Sequence, residues 1–221
     1  MLKGYASSAL LDTYQEERLP IIAEMLNKTT ELYNQMKTSG GQMMAERRGT
    51  DMSQLGVTYR GSSIIGEDEI CDTMPKVSGY NKDSETAACP GDRAPEIPLL
   101  INTSGSSHET LFGILSPSHH SVLVFAEKYE ENLALELSSV INQVSGKTTI
   151  RSVLILPPES NVVNQTGYYD EVFIDSGNHG YTGYGLPNRQ SWIVVVRPDG
   201  VVGARVQDVA GVKRYFQTIF C

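Results

Sequence analysis

Along the first forty residues, apolar side chains recur at helical spacing, at Leu11, Tyr14, Ile22, Met25 and Met36. Leu10, Leu26, Leu32 and Tyr33 lie on the flank of the same face. That period lays one broad apolar stripe along a helix. The spacing predicts a helix over 6–37, entered at Ser7 or Ser8 as N-cap and stopped by Gly40 and Gly41. Pro20 falls inside the pattern and predicts a kink or a division near Leu19. A stripe this wide must be buried, either by a second chain or by the rest of the molecule folding back. The stretch that follows, 38–90, is polar and turn-rich. It offers a short helical turn at 43–48, strand pieces at 57–59 and 63–65, and a polar run at 77–88. We expect an extended linker there, free to move or to contact a second subunit.

From residue 91 the period changes. Residues 99–102 predict a short strand, 108–115 a short helix, and 121–126, SVLVFA, a strand buried on both faces because its apolar run is continuous. A helix over 129–143 carries Leu133, Leu137, Val140, Ile141 and Val144 on one face. Strands follow at 150–156, stopped by Pro157 and Pro158, and at 171–175. Residues 191–196 and 201–206 alternate about Arg197-Pro198-Asp199-Gly200, a hairpin turn in which Pro sets φ and Gly takes the left-handed position. A last helix spans 209–220. This order of elements predicts an α/β domain with parallel strands first and an antiparallel hairpin last.

Composition narrows the function. The 221 residues hold 40% hydrophobic side chains, enough for one sizeable core with an appendage. Eighteen basic against 26 acidic residues give a net charge of -8, which argues against a nucleic-acid surface. No apolar run reaches the length of a membrane helix, and the first residues lack the apolar core and cleavage site of a signal peptide, so a cytoplasmic setting is expected. The sequons at Asn27, Asn102 and Asn164 are then read as chance. Cys71, Cys89 and Cys221 are few, odd in number and far apart, not a disulfide framework. A bridge between Cys71 and Cys89 would close a polar loop, but buried or incidental thiols are the expectation.

Four motifs, in order, carry a resemblance. Leu10-Leu11-Asp12-Thr13-Tyr14 with Glu17-Arg18 and Pro20 forms LLDTYxxERxP. Leu55-Gly56-Val57-Thr58-Tyr59-Arg60-Gly61-Ser62-Ser63-Ile64-Ile65 forms a G-x-x-Y-x-x-S strand. Pro90-Gly91-Asp92-Arg93-Ala94-Pro95 and the stretch from Val196 to Arg205, VRPDGVVGAR, complete the set. Together they resemble the C-terminal part of phenol hydroxylase-like, FAD-dependent aromatic monooxygenases. The resemblance implies a thioredoxin-like domain over 91–221, preceded by a helical arm (1–37), a remnant of the flavin domain, and an extended linker (38–90). It implies that this domain serves subunit contact rather than catalysis, and that Arg18 anchors the arm to a flavin domain. No G-x-G-x-x-G occurs in the chain, and the family's other FAD-contacting motifs would lie upstream of the LLDTY helix. No cofactor is therefore expected, FAD entering only if a missing N-terminal part completes the site. Without flavin no hydroxylation is expected.

Other candidate chemistry is sparse, and no catalytic or metal-binding residue is assigned. In redox-active thioredoxin folds a nucleophilic Cys opens the helix after the central strand, but here that position reads Glu127-Lys128-Tyr129-Glu130-Glu131. His108, Glu109, His119 and His120 lack zinc-site spacing and read as surface loop. The Asp175–His179 stretch holds Asp, Ser and His too close together for a catalytic triad and reads as a loop capping a short helix. Tyr168, Tyr169, Tyr181, Tyr184 and Trp192 form the densest aromatic group, a possible surface for a small molecule or glycan. Glu16, Glu17 and Arg18 read as a solvated helix face. The expectation is a non-catalytic interaction protein, a homodimer or a partner of a flavoprotein paralogue. Its interface would lie on the arm's apolar stripe, at Leu11, Tyr14, Ile22, Met25 and Met36. The alternatives are a piece of an FAD-dependent monooxygenase, or a ligand-binding module using the tyrosines.

Overall fold

Strand β3 (His120–Phe125) is buried at every position, because its alternate residues feed two separate cores. Val122 and Val124 point to one, with Leu154, Ile193, Val195, Leu137 and Phe216. Leu123 and Phe125 point to the other, with Val153, Ile155, Val194, Leu111 and Tyr181. A sheet covered on both faces needs no polar alternation, which is why its strands read as continuous apolar runs. The computed structural model describes residues 6–39, 56–66, 71, 87–104, 108–144, 149–160, 167–187 and 190–220. The predicted turn at 43–48, most of the 77–88 run and Cys221 lie outside them.

The sheet has seven strands in the order β2-β1-β5-β4-β3-β6-β7. β1 is Leu100–Asn102, β2 His108–Glu109, β4 Ile150–Leu156, β5 Glu171–Asp175, β6 Trp192–Val196 and β7 Val202–Val206. β3, β4 and β5 are parallel neighbours, whereas β6 runs antiparallel to β3 and to β7. The unit β3, helix, β4, then the β6–β7 hairpin and a last helix is the thioredoxin-like arrangement. α3 (Glu131–Val144) and α5 (Val209–Ile219) cover one face, and the short α2 (Leu111–Ile114) and α4 (His179–Gly183) the other. The helix expected over 108–115 is shorter than that. Thr110 is its N-cap, accepting from the Gly113 amide at 3.1 Å, so His108 and Glu109 are left to pair with Ile101 and Leu100 as β2.

The arm is a 3-10 turn (Ser8–Leu11) capped by Ser7, continuing as α1 (Asp12–Ser39). Pro20 does not divide it. A proline inside a helix removes a single backbone hydrogen bond, and contacts on both sides of it hold α1 to the domain. The described parts of the linker are stitched along β7 and its turn. Gly66 N–H donates to the Gly203 carbonyl, Gly91 N–H to Val202, Val202 N–H to Asp92 and Ala94 N–H to Gly200, all within 2.7–2.9 Å. The Pro-Gly-Asp motif makes this possible. Gly91 has φ +95°, and Asp92 accepts from Nε and Nη2 of Arg60 (2.9 and 2.6 Å) and from the Cys89 amide (3.0 Å). A Cβ at Gly91 would sit 2.5 Å from the Arg60 backbone nitrogen, a clash with backbone and not with a movable side chain. Gly91→Ala should therefore cost about 2 kcal/mol or more in urea unfolding. A loss below 0.5 kcal/mol, roughly the scale of a neutral surface change, would show that the stitching is dispensable.

Candidate functional site

The arm docks by a face other than its apolar stripe. Glu17 and Ile21, one helical turn apart, are its buried residues, and Ile21 packs with Tyr59 and Val201 against Val57 and Ile65. The Glu17 carboxylate receives both terminal nitrogens of Arg197, at 2.5 and 3.0 Å, and Arg197 also donates to Asp199 at 2.7 Å. One residue earlier, Glu16 accepts from the Ser63 amide (3.0 Å) and hydroxyl (2.7 Å). Arg18 lies between the rings of Tyr14 and Tyr59, 5.8 and 5.6 Å from their centres. The solvated face expected at 16–18 is thus partly an anchor. The reason is that the hairpin turn at 197–200 presents a buried guanidinium that needs a carboxylate.

Because the anchoring face is the other one, the stripe points outward. Leu11 and Tyr14 are 62% and 68% exposed, Ile22 and Met36 are exposed, and Met25 is half-buried. Leu19, Leu26 and Tyr33 extend the same apolar surface. Leu11, Tyr14, Ile22 and Met36 remain exposed beside the described residues. A cleft of about 370 Å³ opens on the domain side of Tyr59, between Arg93, Phe112 and the 198–201 turn, with the Arg93 guanidinium 5.1 Å over the Phe112 ring.

The aromatic group does not form the expected surface. Tyr168 is exposed, but Tyr169, Tyr181, Tyr184 and Trp192 are buried. Tyr181 and Tyr184 pack on Phe125, and the Tyr181 hydroxyl donates to the carbonyls of Ala126 (3.1 Å) and Ile155 (3.2 Å). Trp192 stands opposite Phe125 in the β3–β6 register. Burial raises the phenol pKa values of Tyr169, Tyr181 and Tyr184, so these side chains stay neutral core members. The histidine pair also departs from the surface-loop reading. His120 is buried as the first residue of β3, edge-on to Tyr215, Phe216 and Phe220, and burial, ahead of the charges of Arg197 and His119, lowers its pKa to about 4. Asp175 caps α4, accepting from the amides of His179 (3.1 Å) and Gly180 (2.7 Å). No cluster able to hold a metal ion occurs among the described residues.

The turn after β3 carries Glu127, Glu130 and Glu131. At this position, where redox-active thioredoxin folds carry a nucleophile, no cysteine stands. Cys71 and Cys89, in contrast, are joined in a disulfide, with Cα atoms 6.0 Å apart, correcting the expectation of unconnected thiols. The folding of the linker along β7 makes the pair possible. Sequence spacing alone carries no such information.

The architecture is a thioredoxin-like α/β domain with a docked helical arm, and the residues that follow β3 hold no cysteine. Residues 114–221 match the family of the phenol hydroxylase C-terminal dimerisation domain, and the chain is related to the C-terminal part of FAD-dependent monooxygenases. It is 26% identical over 219 residues to the 4-methyl-5-nitrocatechol 5-monooxygenase of Burkholderia sp, covering 95% of this chain and 34% of that protein. It is 24% identical to the FAD-dependent monooxygenase ankC of Aspergillus thermomutatus, covering 100% of this chain and 41% of that one. The crystal structure of the flavin-dependent monooxygenase PieE in complex with FAD and substrate superposes with a TM-score of 0.61 at 17% identity, over 98% of this chain and 40% of PieE. The chain thus spans about a third to two fifths of the length of these relatives.

Sequence reasoning missed Glu17, Ile21, Arg197 and Arg205 as organising residues. Glu17 and Arg197 both lie within the quoted motifs, so the motifs held the signal but not the pairing.

Proposed function

We propose that this chain is a non-catalytic association module, a phenol hydroxylase-like C-terminal region whose work is to bring two copies, or one copy and a flavoprotein paralogue, together in the cytosol. The observation that carries this reading is the pairing of a dimerisation-domain match over 114–221 with an uncovered apolar stripe on a firmly docked arm. Leu11, Tyr14, Ile22, Met25 and Met36 form the contact, their apolar area supplying the drive. Light scattering on the full chain during size exclusion, with absorbance read in the flavin bands, tests it. The expected result is a colourless dimer at micromolar concentration, and Ile22→Glu with Tyr14→Glu should weaken association at least about 10-fold. A monodisperse, colourless monomer whose arm resists protease would sink the reading.

A second reading is supported by the share of the relatives that the chain spans. In it, the same stripe packs against an FAD-binding part present in a longer or separate polypeptide. A yellow complex formed on adding that part, with the stripe then protected, would favour it.

A further inference from the structure

We propose that Cys71 and Cys89 are a thiol–disulfide exchange pair, with Cys71 the attacking sulfur and Cys89 the resolving one, reacting with small thiols and disulfides of the glutathione kind. The pair is built asymmetrically. Cys71 is partly exposed, whereas Cys89 is 1% exposed. Arg205, on β7 and only 3% exposed, places Nη2 3.2 Å from the Cys71 Sγ, while Nη1 donates to the carbonyls of Tyr184 (2.7 Å) and Ala88 (3.5 Å). Its carbon lies 5.8 Å from the centre of the Trp192 ring. This guanidinium is held by backbone acceptors and cannot lose its proton, so its charge stays on Cys71 whether the bridge is open or closed. Near Cys89 the ionised partner is Asp92, whose carboxylate takes the Cys89 amide and is paired with Arg60. A cation favours a thiolate, and burial beside a carboxylate favours a thiol.

Closing proceeds by attack of the Cys71 thiolate on an external disulfide RSSR, which expels RS⁻ and leaves RS on Cys71. Cys89 then gives up its proton and attacks the Cys71 sulfur, expelling the second RS⁻ and forming the Cys71–Cys89 bond. Net, the protein dithiol loses two electrons and two protons, and RSSR becomes two RSH. Opening is the reverse, with the external thiolate entering at the accessible Cys71 and Cys71 leaving as the stabilised thiolate in the last step. The site lies beside β7, two strands from β3, and uses none of the residues 127–131 that follow β3.

The test uses the full chain in graded mixtures of reduced and oxidised glutathione, quenched in acid and mapped by mass spectrometry, with iodoacetamide rates for each cysteine of the reduced protein. Expected are reversible opening and closing, and a glutathione adduct trapped on Cys71 and not on Cys89. At pH 7 Cys71 should be alkylated at least about 10-fold faster than Cys89, with its half-maximal rate below the ordinary thiol value of about 8.5. Arg205→Gln should slow Cys71 about 10-fold, and Arg205→Lys should restore most of the rate. If Arg205→Gln fails to fold, the wild-type pH profile decides alone. A half-maximum at or above the ordinary thiol value, equal rates, an adduct on Cys89, or a pair that never closes in oxidised glutathione would each overturn the proposal.

Discussion

Replacing Arg197 with Met should lower the stability of the fold by about 3–5 kcal/mol, because it leaves the Glu17 carboxylate buried without its counter-ion. The two side chains are 10% and 7% exposed, and Glu17 has both oxygens committed to Arg197. The loss should appear as a lower urea midpoint with an unchanged slope, and proteolysis should begin within α1, whose hold on the domain would shrink to Ile21, the Arg18–Tyr59 contact and the Glu16–Ser63 contact. Pairing the change with Glu17→Leu should recover most of the loss, since exchanging a buried ion pair for apolar packing is often neutral. A single-variant loss under about 1 kcal/mol would mean that the pair behaves like a solvated surface bridge, and the anchored-arm description would fail with it.

Acidification should destabilise the protein between pH 6.5 and pH 4 through His120. Burial, with Arg197 and His119 adding like charge, holds its imidazole pKa near 4, against 6.5 when free. Above pH 6.5 the ring is neutral in both states and contributes nothing. Below it the unfolded chain takes up a proton that the folded one refuses, so stability falls until about pH 4, by roughly 3 kcal/mol in all. Glu171 acts in the opposite sense. Burial outweighs the pull of Arg151 and raises its carboxyl pKa, so it protonates in the folded state first. Unfolding by urea across this range, compared with His120→Phe, isolates the effect. Phe keeps the edge contacts to Tyr215, Phe216 and Phe220, and its profile should be the flatter of the two by most of that amount. Parallel profiles would show that His120 is solvated.

The alternation within β3, the apolar faces of α3 and α5, and the Pro-Asp-Gly turn were all legible, because each is fixed by neighbours a few residues away. So was the absence of a redox cysteine after β3, which is a matter of composition. The docking face of α1 was not legible. Its apolar stripe is the stronger local signal, and the contact that wins joins Glu17 to an arginine 180 residues on. The tyrosines misled for a related reason, since a phenol suits a wet rim and a sealed core alike. Only the carbonyls of Ala126 and Ile155, brought together by β3–β4 pairing, decide for Tyr181. His120 was read as loop because a doubled histidine looks polar, yet one residue's shift in the start of a strand turns such a side chain inward.

The seam of backbone hydrogen bonds between β7 and residues 66 and 91–94 limits how this domain can assemble. A bare outer strand invites another chain to add to it, and such growth need not stop at two. With that side occupied by the chain's own backbone, a second copy cannot extend the sheet there. Growth by added strands is thereby confined to the opposite edge, where β2 is only two residues long and offers a short template.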